Sequence, residues 1–134
     1  IAKRIVDYRQ KRKIETGGQL LKLIKYSLDE KYRKSRKHHW ATPTFRALRI
    51  EVNKDYENLE KFFGVFSNCL KKKGILQIIT FHSIEEKIVR KKLRELKQKK
   101  VIKLITKRPF EATLKEIAKN PKSKRAKLWV AELR

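Results

Sequence analysis

The sequence predicts an α/β fold, with helices first and then part of an open α/β sheet. Three observations carry this expectation. Phe45, Leu48, Val52, Tyr56, Leu59, Phe62 or Phe63, Phe66 and Leu70 recur every three or four positions, the period of one helix face. Ile75-Leu76-Gln77-Ile78-Ile79-Thr80-Phe81 is almost continuously apolar, as in a strand buried on both faces of a parallel sheet. Val101–Thr106 reads as a second strand beyond an intervening helix, making a βαβ unit whose crossover is expected to be right-handed.

The elements follow in chain order. Ile1, Ala2, Ile5 and Val6 form the apolar stripe of a short helix, with Arg9 to Lys13 as a solvated connector. Thr16-Gly17-Gly18-Gln19 has capping-box spacing, so the Thr hydroxyl and Gln side chain can satisfy orphan amides of a helix that buries Leu20, Leu21, Ile24 and Leu28. The basic run from Glu30 to His39 reads as a loop. Thr42-Pro43 starts a helix, because proline suits the first helical position and disfavours helix before it. The apolar period from Phe45 to Leu70 then makes one long helix, or two in near-continuation. Lys71 to Lys73 complement its carboxyl-end dipole and Gly74 supplies the stop. Ser83-Ile84-Glu85-Glu86 has the spacing of a second capping box and opens a helix to about Lys100. Thr113 caps a short helix ending near Asn120-Pro121, and Ala126–Leu133 is the last strand. There are no internal repeats.

With 134 residues, the chain makes one compact domain or pieces of two, and 40% hydrophobic residues supply a modest core. Charge is the outlier: 38 Lys+Arg against 14 Asp+Glu gives +24 at pH 7. So basic a surface seeks a polyanion, because each phosphate neutralised releases condensed counterions. Nucleic acid is the expected partner and an anionic membrane surface the alternative. Lys-for-Arg and Ile-for-Leu usage also suggests a compositionally biased genome, which raises Lys on solvated faces without function. Cys69 is alone, within a predicted helix, which excludes a disulfide framework and suggests a reducing, cytoplasmic compartment. No apolar run approaches the ~20 residues of a membrane span. Ile1-Ala2-Lys3-Arg4-Ile5-Val6 resembles no signal peptide and reads as the interior of a helix, so the chain is expected to begin in mid-protein.

Several kinds of chemistry find no support in the residues. A nucleotide or S-adenosylmethionine site on an α/β sheet needs a glycine-rich turn after its first strand, where backbone approaches the ligand. Gly17, Gly18, Gly64 and Gly74 are the glycines, and none follows a predicted strand. One Cys and three scattered His do not make a metal site. The positive features are two. At Ile79-Thr80-Phe81-His82-Ser83 a strand ends, a histidine follows and a helix begins, which puts His82 on the rim where open α/β sheets bind ligands. Spacing alone also allows His82 merely to hydrogen-bond a neighbouring loop. On the helix after Pro43, Arg46 and Arg49 lie three apart and could share a phosphate, with Asn53 four beyond Arg49. Periodicity alone favours an ordinary amphipathic helix with solvated arginines there.

Together the segments resemble a known family. Trp40-Ala41-Thr42-Pro43-Thr44-Phe45-Arg46-Ala47-Leu48-Arg49-Ile50-Glu51-Val52-Asn53 looks like its H-P-A-T-R-T-F-Q-A-L-R-I-x-V-N, and Phe81-His82-Ser83-Ile84-Glu85-Glu86-Lys87-Ile88-Val89 is similar to its S-F-H-S-L-E-D-R-I-V. Leu104-Ile105-Thr106-Lys107-Arg108-Pro109 and Asn120-Pro121-Lys122-Ser123-Lys124-Arg125-Ala126-Lys127-Leu128 match its last two motifs. The family is ribosomal RNA small subunit methyltransferase H, or MraW, which methylates a cytosine N4 amine with S-adenosylmethionine. The sequence departs from the pattern at Trp40 and Pro43, where the family has proline and arginine, and at Thr80, where it has serine.

The resemblance implies the C-terminal part of a class I (Rossmann-like) methyltransferase sheet preceded by helices of a substrate-recognition insert. Residues 1–50 would end the insert and residues 51–134 would continue the methyltransferase domain. It implies His82 as a catalytic candidate that orients the base or receives its proton. Thr44, Arg46, Arg49, Asn53, Ser83 and Arg125 become candidate contacts to substrate RNA, with the Lys31–Lys37 stretch adding electrostatic capture. Ser83 would also cap its helix. The expected cofactor is S-adenosylmethionine, in a pocket formed by residues other than these, and no metal is expected. The expected partner is small-subunit ribosomal RNA or the small ribosomal subunit, not a membrane. A sheet without its central strands leaves an open edge and an uncovered apolar face, so a second polypeptide carrying the N-terminal half, or a homodimer, is also expected. Alone, such a fragment would be inactive. The alternative reading is a truncated RNA-binding module that transfers no methyl group. A small basic ribosome-associated or DNA-binding protein would leave four ordered motifs to coincidence, and a nuclease lacks clustered carboxylates.

Overall fold

A computed structural model of the chain describes residues 1–35 and 37–134. These fall into two compact units, Ile1–Lys54 and Asp55–Arg134.

The first unit is helical. Helix α1 (Ala2–Lys11) continues through Arg9–Lys11, the expected connector, because nothing there breaks the helix and its last-turn cations suit the dipole. Helix α2 (Gly17–Tyr26) opens with the expected capping box: the Thr16 hydroxyl accepts from the Gln19 N–H at 3.2 Å, and Gln19 Oε1 accepts from the Thr16 N–H at 3.2 Å. Ile24 is fully buried, while Leu20, Leu21 and Leu28 are half-buried. The Arg4 guanidinium donates to the Tyr26 carbonyl, tying α1 to α2. The loop expected at 30–39 contains a short helix, α3 (Glu30–Lys34). Glu30 favours its first turn, and Lys34 pairs back to Glu30 at 2.7 Å. Of the basic Lys31–Lys37 stretch, Arg36 lies outside the described residues. Helix α4 (Thr42–Asn53) includes Pro43 in its first turn, as expected. It stops at Lys54, whose left-handed backbone (φ 55°, ψ 39°) turns its N–H onto the Glu51 and Ile50 carbonyls. The apolar period therefore spans two helices, not one.

The second unit begins with α5 (Asp55–Val65) and a 3₁₀ turn (Phe66–Cys69), then β1 (Ile75–Thr80), α6 (Ser83–Gln98) and β2 (Ile102–Leu104). A two-residue strand β3 (Phe110–Glu111), α7 (Leu114–Lys119), a 3₁₀ turn (Pro121–Arg125) and β4 (Lys127–Leu133) complete it. The α/β character is as expected, but the pairing corrects the βαβ expectation. The sheet order is β1-β4-β2, with the short β3 also pairing β4, and β4 is antiparallel to all three. Strands β1 and β2 thus run parallel through α6 but do not touch, because β4 is inserted between them. Burial on both faces is also corrected for β1. Leu76 and Thr80 are buried, whereas Ile75 and Ile79 are exposed. A short apolar run cannot by itself distinguish one covered face from two.

The register explains which face is covered. Leu76 sits opposite Ala131, Ile78 opposite Trp129 and Thr80 opposite Lys127, while Ile102 sits opposite Leu133. Directly opposed residues share a face, and this one forms a single core with Phe63, Phe66, Val89 and Leu93 from the helical segments. Each fully buried aliphatic side chain here contributes roughly 1.5–3 kcal/mol. The expected stop at Gly74 is corrected too: α5 ends at Val65, and Lys73 rather than Gly74 takes positive φ (66°). Gly74 is needed for space, since a Cβ there would lie 2.7 Å from the Lys71 carbonyl oxygen.

Candidate functional site

The register places the carboxyl end of β1 beside the amino end of β4, making one rim of the sheet. Chain leaves this rim through Phe81-His82 into α6 and arrives through the Pro121–Arg125 turn. Thr80 is buried on the rim, and its hydroxyl accepts from the Trp129 indole N–H at 3.2 Å. That bond satisfies two polar groups that would otherwise destabilise the core.

His82 is the N-cap residue of α6, with extended backbone and a half-buried side chain. The turn is held by Glu85, whose Oε2 accepts from the Phe81 N–H at 3.0 Å and the His82 N–H at 3.2 Å. This corrects the expected capping box: counting starts at His82, so Glu85 is the third helical residue and Ser83 is the first, exposed and not the cap. Glu86 is thereby released to face the sheet. Its Oε2 accepts from Lys127 Nζ at 2.9 Å, and its Oε1 pairs with Arg90. The Lys127 hydrogen bond foremost, with the charges of Lys127 and Arg90, holds the Glu86 carboxyl below the usual carboxylate range, against opposing desolvation. The Arg90 guanidinium lies over the Trp129 ring, 5.9 Å from its centroid.

Arg125 comes from a turn anchored on one buried serine. Ser123 donates from its hydroxyl to the Asn120 carbonyl at 2.8 Å and from its N–H to the same oxygen at 2.9 Å. The Ala126 N–H donates back to the Ser123 carbonyl at 2.8 Å. Lys122, Lys124 and Arg125 are exposed around this anchor. The rim thus brings His82, Ser83 and Arg125 to one end of the second unit's sheet. Thr44, Arg46, Arg49 and Asn53 belong to α4, in the first unit. Arg46, Arg49 and Asn53 share one helix face, at spacings of three and four. The amino end of α4 is organised by His39, whose Nδ1 accepts from the Ala41 N–H at 3.3 Å and whose ring stacks on Trp40 at 4.6 Å.

Sequence reasoning missed the Glu86–Lys127–Arg90 cluster, because the pairing of α6 with β4 joins residues 41 apart in the chain. Its local signals were the second glutamate of Glu85-Glu86, which the capping box does not use, and the i, i+4 spacing of Glu86 and Arg90. Among the described residues, no cluster of His, Cys, Asp and Glu could hold a metal ion. Among the same residues, no helix is long and apolar enough to cross a membrane.

Fold and rim define the class first, an α/β domain with a basic edge at the carboxyl end of a strand. The chain belongs to the MraW methylase family, whose model matches residues 1–134. It is 41% identical over 130 residues to a ribosomal RNA small subunit methyltransferase H of Sulfurihydrogenibium, covering 97% of this chain and 44% of that protein. A protein of the same name from Fervidobacterium nodosum is 43% identical over 132 residues (98% and 42%), and one from Clostridium botulinum is 39% identical over 145 residues (97% and 46%). The chain therefore spans less than half the length of these curated relatives.

Proposed function

We propose that this chain is the RNA-facing part of an S-adenosylmethionine-dependent methyltransferase that modifies a cytosine N4 amine of small-subunit ribosomal RNA in the cytoplasm. The observation that carries the reading is the His82 turn, clamped by Glu85 beside the basic Pro121–Arg125 turn, in a chain of this family. Residues 1–50 then serve as the end of a substrate-recognition insert and 51–134 as the C-terminal part of the methyltransferase domain. S-adenosylmethionine, when bound, supplies the methyl group. The residues of this chain do not fit it: Gly17 and Gly18 open α2, Gly64 lies in α5 and Gly74 precedes β1, so the β1-to-α6 turn has no glycine cradle.

What these residues do follows from the target. The lone pair of a cytosine amine delocalises into the ring, so the base must be unstacked, its amine oriented and a proton taken up. His82, preset by the Glu85 clamp, orients that amine or receives its proton. Ser83 and Arg125 hold neighbouring backbone, and Thr44, Arg46, Arg49 and Asn53 hold substrate RNA through α4. The partner is small-subunit ribosomal RNA or the small subunit itself, with a second polypeptide or a second copy completing the sheet. A second reading, an RNA-binding module without methyl transfer, draws on the same glycine placement; alone, the chain would then bind RNA but not S-adenosylmethionine.

The test joins this chain to the remaining portion of the Sulfurihydrogenibium relative and measures methyl incorporation into small subunits. His82→Ala is expected to slow incorporation by about 10²–10⁴, the range for a positioned acid or base. An unchanged rate removes His82 from the chemistry, and labelled product lacking N4-methylcytosine sinks the methylation reading.

A further inference from the structure

Within the second unit, an open groove of about 860 Å³ lies between α6 and the segment after β2. Its floor includes Leu93, Leu104 and Trp129. Arg90, Arg94 and Lys97 line one wall from α6, at spacings of four and three that put them on one face. Lys107 and Arg108 line the other wall, and Lys127 stands at the end shared with the rim. Six cations thus face two carboxylates, and both carboxylates are already engaged. Glu86 holds Arg90 and Lys127, and Glu111 lies 3.9 Å from Lys127.

Arg94, Lys97, Lys107 and Arg108 are exposed, and none has an ion-pair partner among the described residues. Like charges at helical spacings of three and four repel, at a cost of a few tenths of a kcal/mol per pair. An arrangement that concentrates them in a concavity, over a floor that includes Leu93, Leu104 and Trp129, suits a ligand that brings negative charge at regular intervals. The seven residue steps of helix from Arg90 to Lys97 extend ~10 Å, the reach of a short run of phosphates.

We infer that this groove binds the phosphate backbone of a single RNA strand, held by Arg94, Lys97, Lys107 and Arg108 on its way to the His82 rim. The inference rests on the proposed RNA substrate and deepens it. It assigns α6 and residues 107–108 to the strand beside the modified nucleotide, where no motif had placed a contact. Contacts of this kind fix register and carry no sequence preference.

The experiment measures binding of a labelled single-stranded oligouridylate to the full chain by anisotropy over a salt series. The triple variant Arg94→Gln, Lys97→Gln, Arg108→Gln is expected to lose about tenfold or more in affinity, and its log–log salt slope should fall by about 2, three lost phosphates at ~0.7 each. A charge-matched control, Lys71→Gln, Lys72→Gln, Lys115→Gln, alters exposed lysines outside the groove and should lose much less. Thermal melts check that both variants fold. Equal losses in the two triples overturn the groove in favour of a diffuse positive field. Affinity that survives the groove triple but falls with Arg46→Gln and Arg125→Gln overturns the groove while leaving RNA recognition intact. The methylation reading is decided separately, by the incorporation assay.

Discussion

Gly74 illustrates how one side chain, or its absence, governs the entry to the sheet. Its N–H donates to the Lys71 carbonyl at 2.7 Å, its carbonyl accepts from the Leu133 N–H at 2.9 Å, and the preceding Lys73 N–H donates to the Leu133 carbonyl at 2.9 Å. The turn is pinned from both sides, so it cannot shift to admit the Cβ that would meet the Lys71 oxygen. Gly74→Ala should therefore destabilise the chain by about 1–3 kcal/mol, the usual cost of overpacking. Urea denaturation would measure it, and a loss below about 0.5 kcal/mol would refute the steric argument. The residue type was legible in the sequence as a break, but its reason was not. A glycine that stops a helix usually does so through φ > 0, whereas close approach depends on the backbone that surrounds the residue.

Between elements, Glu86 is the point where α6 is fastened to the amino end of β4. Its carboxyl is held below its ordinary value of 4.5 by Lys127 and Arg90. A lowered folded value means that the carboxylate stabilises the fold above the unfolded value, and that this contribution disappears as pH falls through the folded one. Glu86→Gln should accordingly lower the melting temperature at neutral pH, with a stability loss of about 1 kcal/mol at this partly exposed cluster. Melting curves of the two proteins should converge as the solution is acidified below the ordinary carboxylate range. A gap that persists unchanged in acid would show that the carboxylate charge is not what matters. The capping logic at this helix start was half legible: a histidine and two glutamates in the right order were visible, but the first capping position was misassigned by one residue. Serine is the commoner cap, and only the turn geometry selects His82 instead.

For the whole molecule, burial is unequal. The continuous core lies in Asp55–Arg134, whereas Ile24 and Ala41 are the buried apolar residues of Ile1–Lys54 among those described. Opening free energy follows local buried contact. Amides of β4, and those of β1 that bond to it, should exchange hydrogen slowest, and those of α1 to α4 markedly faster, in native-state exchange read residue by residue. Uniform protection across both units would contradict this. The outer edge of β1 has no partner strand among the described residues, and Ile75 and Ile79 are exposed beside it, so an unguarded pairing surface remains.

Local chemistry along the chain was enough to establish the α/β class, the Thr16 and Thr113 caps, the start of α4 and the strand that leads to His82. Each of these depends on residues within a turn or two of one another. It also carried the family, through four ordered motifs. The tertiary structure alone decided that β4 separates β1 from β2, and that Lys127 joins Glu86 and Arg90 beside Trp129. Those outcomes depend on which distant segments pair, and periodicity, which records only how often a side chain turns to one face, holds no information about the partner on that face.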